Sequence, residues 1–352
     1  MKILQQAFLL SLSFLLLSCH HAPQEVAKDT SAQDSGLTQA GDKLLAGVSE
    51  AVCYSGFRSG QHPDRGNGAV NPSYAEILED LEILLQQTPF RLIRLYDCGE
   101  NSQMVLEVIR EHNLDISVML GIWLRAELSA HETCEWLTEP IPKDTLEKNK
   151  IRNAREIEKG IELANAFSKI VVAVNVGNEA LVEWNDHMVS LDSVMAYVKQ
   201  VQLAIDQPVT VADNYKWWAD HGHELAGIVD FVAIHIYPVW EQKDIDEGMP
   251  YTIENVEEVM TALPNKQIVI AEAGWASIAS EFGPRASQEN QKRYVQELME
   301  WSRHNNITTF IFEAFDEDWK GDPDNPLGAE KHWGLYTVNR EPKKTIELFN
   351  TY

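Results

Sequence analysis

The sequence predicts an α/β fold, a single-domain (β/α)8 barrel with its functional site at the carboxyl ends of the strands. Three observations predict it. Eight short, apolar, largely β-branched runs recur at residues 45–54, 91–96, 115–122, 170–176, 209–213, 231–236, 267–271 and 308–312. They are near-continuously hydrophobic, as strands covered on both faces must be. Between them lie segments whose apolar residues recur at three and four, the period of a helix packed on one face. The rival is an open doubly wound sheet, but no glycine-rich phosphate fingerprint follows any run. No internal repeat of solenoid length is visible.

Composition agrees with one globular domain. The chain has 352 residues, 44% hydrophobic and 24% charged, which excludes a disordered chain, a fibre and a polytopic membrane protein. Lysine and arginine number 29 against 54 acidic residues, a net charge of −25. That acid excess argues against a nucleic-acid partner, which requires cationic surface, and suits a neutral or cationic ligand.

Lys2 is the only charge before Glu25, and an apolar stretch from Ala7 to Leu17 leads to Ser18 and Cys19. A positive start, a short apolar core and a small residue make a secretory signal, too short for a spanning helix. Leu16-Leu17-Ser18-Cys19 resembles a bacterial lipoprotein cleavage box, in which Cys19 takes the lipid. The alternative is an ordinary signal with Cys19 incidental. Residues 19–43 carry few large apolar side chains and read as a flexible tether. The expected organisation is a signal peptide at 1–18, the tether at 19–43 and the barrel at 44–352. The expected location is outside the cytoplasm, lipid-anchored to a bacterial membrane, the outer one favoured, with periplasmic and cell-surface faces both open.

Of the remaining cysteines, Cys53 and Cys98 follow neighbouring strands and are the favoured pair if a disulfide forms. Buried free thiols, with Cys134 the third, are the equal alternative. No CxxC or histidine-rich spacing suggests zinc.

Ser73-Tyr74-Ala75-Glu76 is a capping-box start, and Ile77, Leu78, Leu81, Leu84 and Leu85 continue as one buried stripe. Leu191, Val194, Met195 and Val198 repeat the pattern, as do Tyr294, Leu298, Met299 and Trp301 after Ser287. The strand ends then supply Tyr54 and Arg58; Tyr96 and Asp97; Trp123; Asn178 and Glu179; Asp213 and Asn214; His235, Tyr237 and Trp240; Glu272 and Trp275; and Glu313, Asp316, Glu317 and Lys320, with Trp333 beyond. Carboxylates thus end the fourth and seventh strands, on opposite sides of the ring, among aromatic residues. A single such Glu is usually a cap or an ion-pair partner, and a single Trp is usually core. The combination on one face is what carries weight. Sugars stack their C–H faces on aromatic rings and bond to carboxylates and amides, and glycosidic cleavage uses two carboxylates.

At these residues the chain resembles glycoside hydrolase family 17. The likeness covers residues 47–336. It rests on Val52-Cys53-Tyr54 with Arg58, on Ile93-Arg94-Leu95-Tyr96-Asp97, on Val176-Gly177-Asn178-Glu179, and on Ala271-Glu272-Ala273-Gly274-Trp275. Phe312-Glu313-Ala314-Phe315-Asp316-Glu317-Asp318-Trp319-Lys320 and Glu330-Lys331-His332-Trp333-Gly334-Leu335 complete it. Ala276 stands where the family usually has proline, a departure that bears on loop stiffness. The resemblance implies a (β/α)8 hydrolase of β-1,3-glucans that retains anomeric configuration, and bacterial members acting on laminarin look most similar. It implies Glu179 as general acid and then base, Glu272 as nucleophile, Asn178 on the sugar 2-hydroxyl and Tyr237 on the nucleophile. Tyr54, Arg58, Arg94, Tyr96, Glu313, Glu317, Lys320 and Glu330 would shape the cleft, and Trp275, Phe315 and Trp333 would be stacking or packing surfaces.

The chemistry sets further expectations. Glu179 must hold a proton, which asks for a raised pKa, in part from repulsion by an ionised Glu272 about 5–5.5 Å away. No cofactor or metal is expected. The acidic run Asp316, Glu317, Asp318, Asp322 and Asp324 reads as a solvated loop before a calcium site. The expected partners are a β-glucan and, through Cys19 alone, a membrane, with the chain a monomer. Two rivals remain: a β-1,3-glucan transglycosylase using the same carboxylates with acceptor aromatics such as Trp240 or Trp333, and a non-catalytic glycan-binding surface lipoprotein.

Overall fold

A computed structural model describes residues 44–350 apart from residue 65. The expected signal peptide, Cys19 and the tether lie outside the described residues. Eight parallel strands close into a barrel in sequence order: β1 (Glu50–Cys53), β2 (Leu92–Arg94), β3 (Ser117–Ile122), β4 (Val171–Asn178), β5 (Val209–Asn214), β6 (Val232–Ile236), β7 (Ile268–Ala273) and β8 (Thr309–Ile311). Each falls within or beside one of the eight apolar runs, and nearly every strand residue is buried. Both faces are covered, from inside by opposing strands and from outside by helices, so hydrophobicity does not alternate.

The helices are α1 (Tyr74–Gln87), α2 (Glu100–His112), α3 (Lys143–Ala166), α4 (Leu191–Gln202), α5 (Tyr215–His221), α6 (His223–Ala226), α7 (Ile245–Ala262) and α8 (Gln288–Asn305). Ser73 caps α1 through the expected box with Glu76. Ser190 and Ser287 cap α4 and α8 by accepting from Ser193 and Asn290 main-chain N–H groups. Among the described residues no helix is long and apolar enough to cross a membrane.

Eight complete strand–helix units are not what forms. The fifth helix is split at Gly222. After β8 the described residues form no α-helix: a 3-10 turn at Ala329–Lys331 is followed by a 3-10 segment, Lys344–Phe349. Its start is fixed by Lys343, whose buried ammonium donates to Asp316 (2.6 Å) and Ser277 (2.7 Å). The first apolar run also divides: Leu44–Gly47 is a 3-10 turn with Leu45 and Gly47 at positive φ, and the strand begins only at Glu50.

Cys53, Cys98 and Cys134 are free and buried, so the pairing of Cys53 with Cys98 is not made. The two thiols face different carbonyls, Ala271 for Cys53 and Gly121 for Cys98. Burial pushes the Cys53 thiol up to about 12.

One buried ionic cluster ties the α1 side of the barrel to the segment after β8. Asp80 of α1 is fully buried and receives Arg340 through two bonds, Nε to Oδ1 (2.8 Å) and Nη2 to Oδ2 (2.6 Å). Arg58 adds a third at 2.8 Å and the Tyr54 hydroxyl a fourth at 3.3 Å. Removing one partner of such a group strands a charge away from water. Arg340→Leu is therefore expected to lower unfolding stability by about 3 kcal/mol, read from chemical denaturation.

Candidate active site

The strands deliver their polar residues to one mouth. In the β6–β7 register His235 lies beside Glu272, and the pairing shifts just before it, between Ile234 and His235. A second irregularity lies between Asn175 and Asn178 in the β4–β5 pairing. Such slips re-aim side chains at strand ends, and these two fall where the carboxylates emerge. Gly177 sits at φ +84°, where a side chain would be strained, and Glu179 follows at φ +47°. A left-handed Glu costs about 1 kcal/mol or more and persists only if its surroundings hold it.

Glu272 is almost wholly buried and is met by three donors. Arg94 Nη1 and the Tyr96 hydroxyl reach Oε1 at 2.6 and 2.9 Å, and the Tyr237 hydroxyl reaches Oε2 at 2.5 Å. Burial drives both phenols well above their ordinary pKa, so both remain donors. Arg94 stays charged and also holds Asn178 Oδ1 at 2.6 Å. Both oxygens of Glu272 are thereby held by donors.

His235 spans the two carboxylates. Arg94 Nη1 lies 3.2 Å from its Nε2, which must accept, so the ring proton is assigned to Nδ1. Nδ1 then donates to Glu179 Oε1 at 2.9 Å and lies 3.6 Å from Glu272 Oε2. One oxygen of each glutamate and one nitrogen of His235 lie within 4.8 Å of one another. That closeness would also suit ligands of a metal ion. The permanent positive charge of Arg94 on Glu272 opposes a divalent cation there, so the arrangement reads as a carboxylate pair spanned by an imidazole.

The expected rise in the Glu179 pKa is not what the site sets up. Burial works to raise it, but the donors from His235 and Asn185 offset burial, and the pKa is lowered. Asn185 Nδ2 donates to Glu179 Oε2 at 3.1 Å and to its main-chain oxygen at 3.0 Å. If Glu179 serves as a general acid, its lowered pKa makes it lose its proton at lower pH, and the alkaline limb of kcat/KM is expected to lie low. Asn185→Ala removes a donor to the charged form and is expected to move that limb to higher pH, as a pH–rate profile would show.

A second cluster follows β8. Lys320 lies 2.7 Å from both Glu313 and Glu317, and Glu317 also accepts from Ser55 and from Trp319 Nε1 (3.0 Å). Burial pushes Glu313 well above the usual carboxylate range. Glu330 is half-buried and feels Lys320, Glu179 and Glu272, which places it at the same mouth. The acidic run is not a converging set: Asp316 is taken by Lys343 and Asp318 accepts from Ser59.

Tyr54 and Arg58, expected to shape the cleft, are directed elsewhere, and of the two roles expected for Trp275, Phe315 and Trp333 the structure shows packing. Tyr54 is 1% exposed and donates to Asp80. Arg58 is committed to Asp80 and Glu79. Trp275 is fully buried, with Nε1 donating to the Arg285 carbonyl and its ring against Tyr294. Phe315 is buried between Tyr54, Tyr336 and the Arg340 guanidinium. Trp333 is 1% exposed and supports Tyr237 from behind, with ring centroids 5.1 Å apart, so it offers an acceptor sugar no face. In each case the apolar body was legible and its direction was not. His235, Asn185 and Asp213 are the residues at the pair to which sequence reasoning gave no role. His235 stood two residues before Tyr237 on a strand, the same-face spacing, which was the available signal.

Comparison with known proteins gives a consistent picture. A family model described as the BtgE/BtgC glycoside hydrolase domain matches residues 51–334. A putative glucan endo-1,3-beta-glucosidase, btgC of Aspergillus niger, is 29% identical over 79% of this chain, and the chain spans 40% of that relative's length. A glucan 1,3-beta-glucosidase of Schizosaccharomyces pombe is 25% identical over 77% of this chain and 80% of its own. Among solved structures, an endo-laminarinase from Formosa Hel1_33_131 superposes with a TM-score of 0.72 and 26% identity, covering 86% of each chain. A beta-1,3-glucanosyltransferase from Rhizomucor miehei shares the fold, with a TM-score of 0.63 and 22% identity over 84% of this chain and 96% of its own.

Proposed function

The chain belongs to the BtgE/BtgC glycoside hydrolase domain family, and from that premise we propose that it cleaves internal β-1,3 bonds of a laminarin-type glucan with retention of configuration. One observation carries the reading: the convergence of Glu179 and Glu272, whose nearest oxygens are within 4.8 Å. Inverting pairs stand about 6.5–9.5 Å apart to admit a water, whereas retaining pairs are closer. Glu272 accepts from Arg94, Tyr96 and Tyr237, surroundings that hold an attacking side chain in place. It attacks the anomeric carbon while Glu179 gives its proton to the departing glycosidic oxygen. The products of that step are a glycosyl ester on Glu272 and a free sugar hydroxyl. Water, deprotonated by Glu179, then breaks the ester and restores both groups. Arg94, Tyr96 and Tyr237 hold the nucleophile, and Arg94 orients Asn178 toward the reacting sugar.

The names of the relatives, glucan 1,3-beta-glucosidases and an endo-laminarinase, support the choice of glucan. Release of short oligosaccharides from linear β-1,3-glucan, with new reducing ends, is the expected result. Turnover of no β-1,3-glucan, linear or β-1,6-branched, would overturn the reading. A glucanosyltransferase is the second reading, favoured by Trp240, which is 42% exposed beside Phe282 and offers an acceptor sugar a face. Product analysis at low and high oligosaccharide concentration separates the two. The Leu16-Leu17-Ser18-Cys19 box supports placing the enzyme at a bacterial membrane through a lipid on Cys19.

A further inference from the structure

Asp213 ends β5 and is fully buried, yet among the described residues no ion pair reaches it. Its partners are two main-chain N–H groups. Asn214 N donates to Oδ1 at 2.8 Å and Leu181 N to Oδ2 at 3.0 Å. The second bond crosses from β5 to the loop after β4 and grips it two residues beyond Glu179. A buried carboxylate without a cation is costly, and burial with the nearby Glu179 charge pushes this one well above its ordinary range. The loop it grips opens on Glu179 at positive φ, just after Gly177 of β4 has turned the same way. Other ties on that segment are Glu179 N to the Ala212 carbonyl (2.9 Å), Val189 N to the Ala180 carbonyl (2.7 Å), His187 Nε2 beside the Asn178 carbonyl (2.8 Å), Thr133 Oγ1 donating to the Glu183 carbonyl (2.6 Å), Glu127 and Leu128 N–H groups donating to the Met188 carbonyl, and the Asn185 contacts. Among the described residues Asp213 is the barrel-strand side chain that binds this loop's main chain next to Glu179.

We propose that Asp213 is a positioning residue that holds the left-handed Glu179 in line with the glycosidic oxygen by clamping the main chain at Leu181. An aspartate side chain suits the task because each of its two oxygens accepts from one of the N–H groups. Asparagine would turn an NH2 toward one of them, so Asp213→Asn breaks the clamp at nearly constant volume. The inference rests on Glu179 being the acid/base.

That role gives a signature distinct from simple loss of stability. A glucan leaving group must be protonated as it departs, and a 2,4-dinitrophenolate does not. Asp213→Asn is expected to lower kcat on linear β-1,3-glucan by about 10²-fold, the scale of a misplaced general acid, with KM unchanged. Turnover of a 2,4-dinitrophenyl β-glucoside should nearly keep its first, glycosylation step. Azide, which needs no general base, should speed breakdown of the glycosyl-enzyme and yield a β-glycosyl azide. Asp213→Ser serves as a second variant. An equal fall on both substrates in both variants, whether through lost fold or lost activity, overturns the proposal, and so does unchanged glucan turnover. If Glu179→Gln itself fails to discriminate between the substrates, the proposed function falls. If Glu179→Gln discriminates and the Asp213 variants do not, only the clamp falls.

Discussion

Glutamine at position 272 is expected to abolish turnover of every β-glucoside, natural or activated, by about four orders of magnitude or more. The residue is the convergence point of Arg94, Tyr96 and Tyr237, and glutamine fits the same space. It keeps an oxygen for Arg94 but turns an NH2 toward a phenol that must donate. The side chain can no longer attack, and no neighbouring group replaces it. Because the loss is chemical, KM should move little and the fold should stand. A Glu272→Gln enzyme with more than a few per cent of normal turnover on an activated aryl glucoside would place the nucleophile elsewhere.

Glutamine at position 179 is expected to divide substrates instead. Loss of a general acid costs about 10²- to 10⁴-fold where the leaving oxygen needs a proton. Glucan turnover should fall by that factor. The first step on a dinitrophenyl glucoside should be almost normal, and its second step should slow because the base is missing. A burst of dinitrophenolate followed by a slow steady state is the expected record. Glutamine can still accept from His235 and Asn185, so the site should remain assembled. Equal losses on glucan and aryl glucoside would remove Glu179 from the acid/base role.

The barrel was legible because its strands are buried on both faces. Val171–Asn178 and Ile268–Ala273 are apolar almost to their last residues, and the polar residues that end them stand out against that background. The terminal segment was less legible. A helix-period pattern does not reveal that Lys343 turns inward to Asp316 and fixes where the 3-10 segment starts. Within the site, strand-end residue types pointed to the two glutamates and Tyr237, and the family resemblance added Arg94, while direction escaped. Tyr54 and Trp275 sit at strand ends in the right neighbourhood, yet each rotates into the packing layer because Asp80 and the Arg285 carbonyl provide hydrogen-bond partners there. The lowered Glu179 pKa escaped for the same reason. Burial and a second carboxylate argue for a rise, and only the placement of His235 Nδ1 and Asn185 Nδ2 reverses it.

The most direct measurement is peptide mapping by mass spectrometry after reaction with a 2-deoxy-2-fluoro-β-laminaribiosyl fluoride. The fluorine slows both steps, and the good leaving group lets the first run ahead, so the glycosyl-enzyme accumulates. One added disaccharide mass, carried by the Glu272 side chain, is the expected result. Label on a different carboxylate, or no label on an enzyme that turns over β-1,3-glucan, would contradict it.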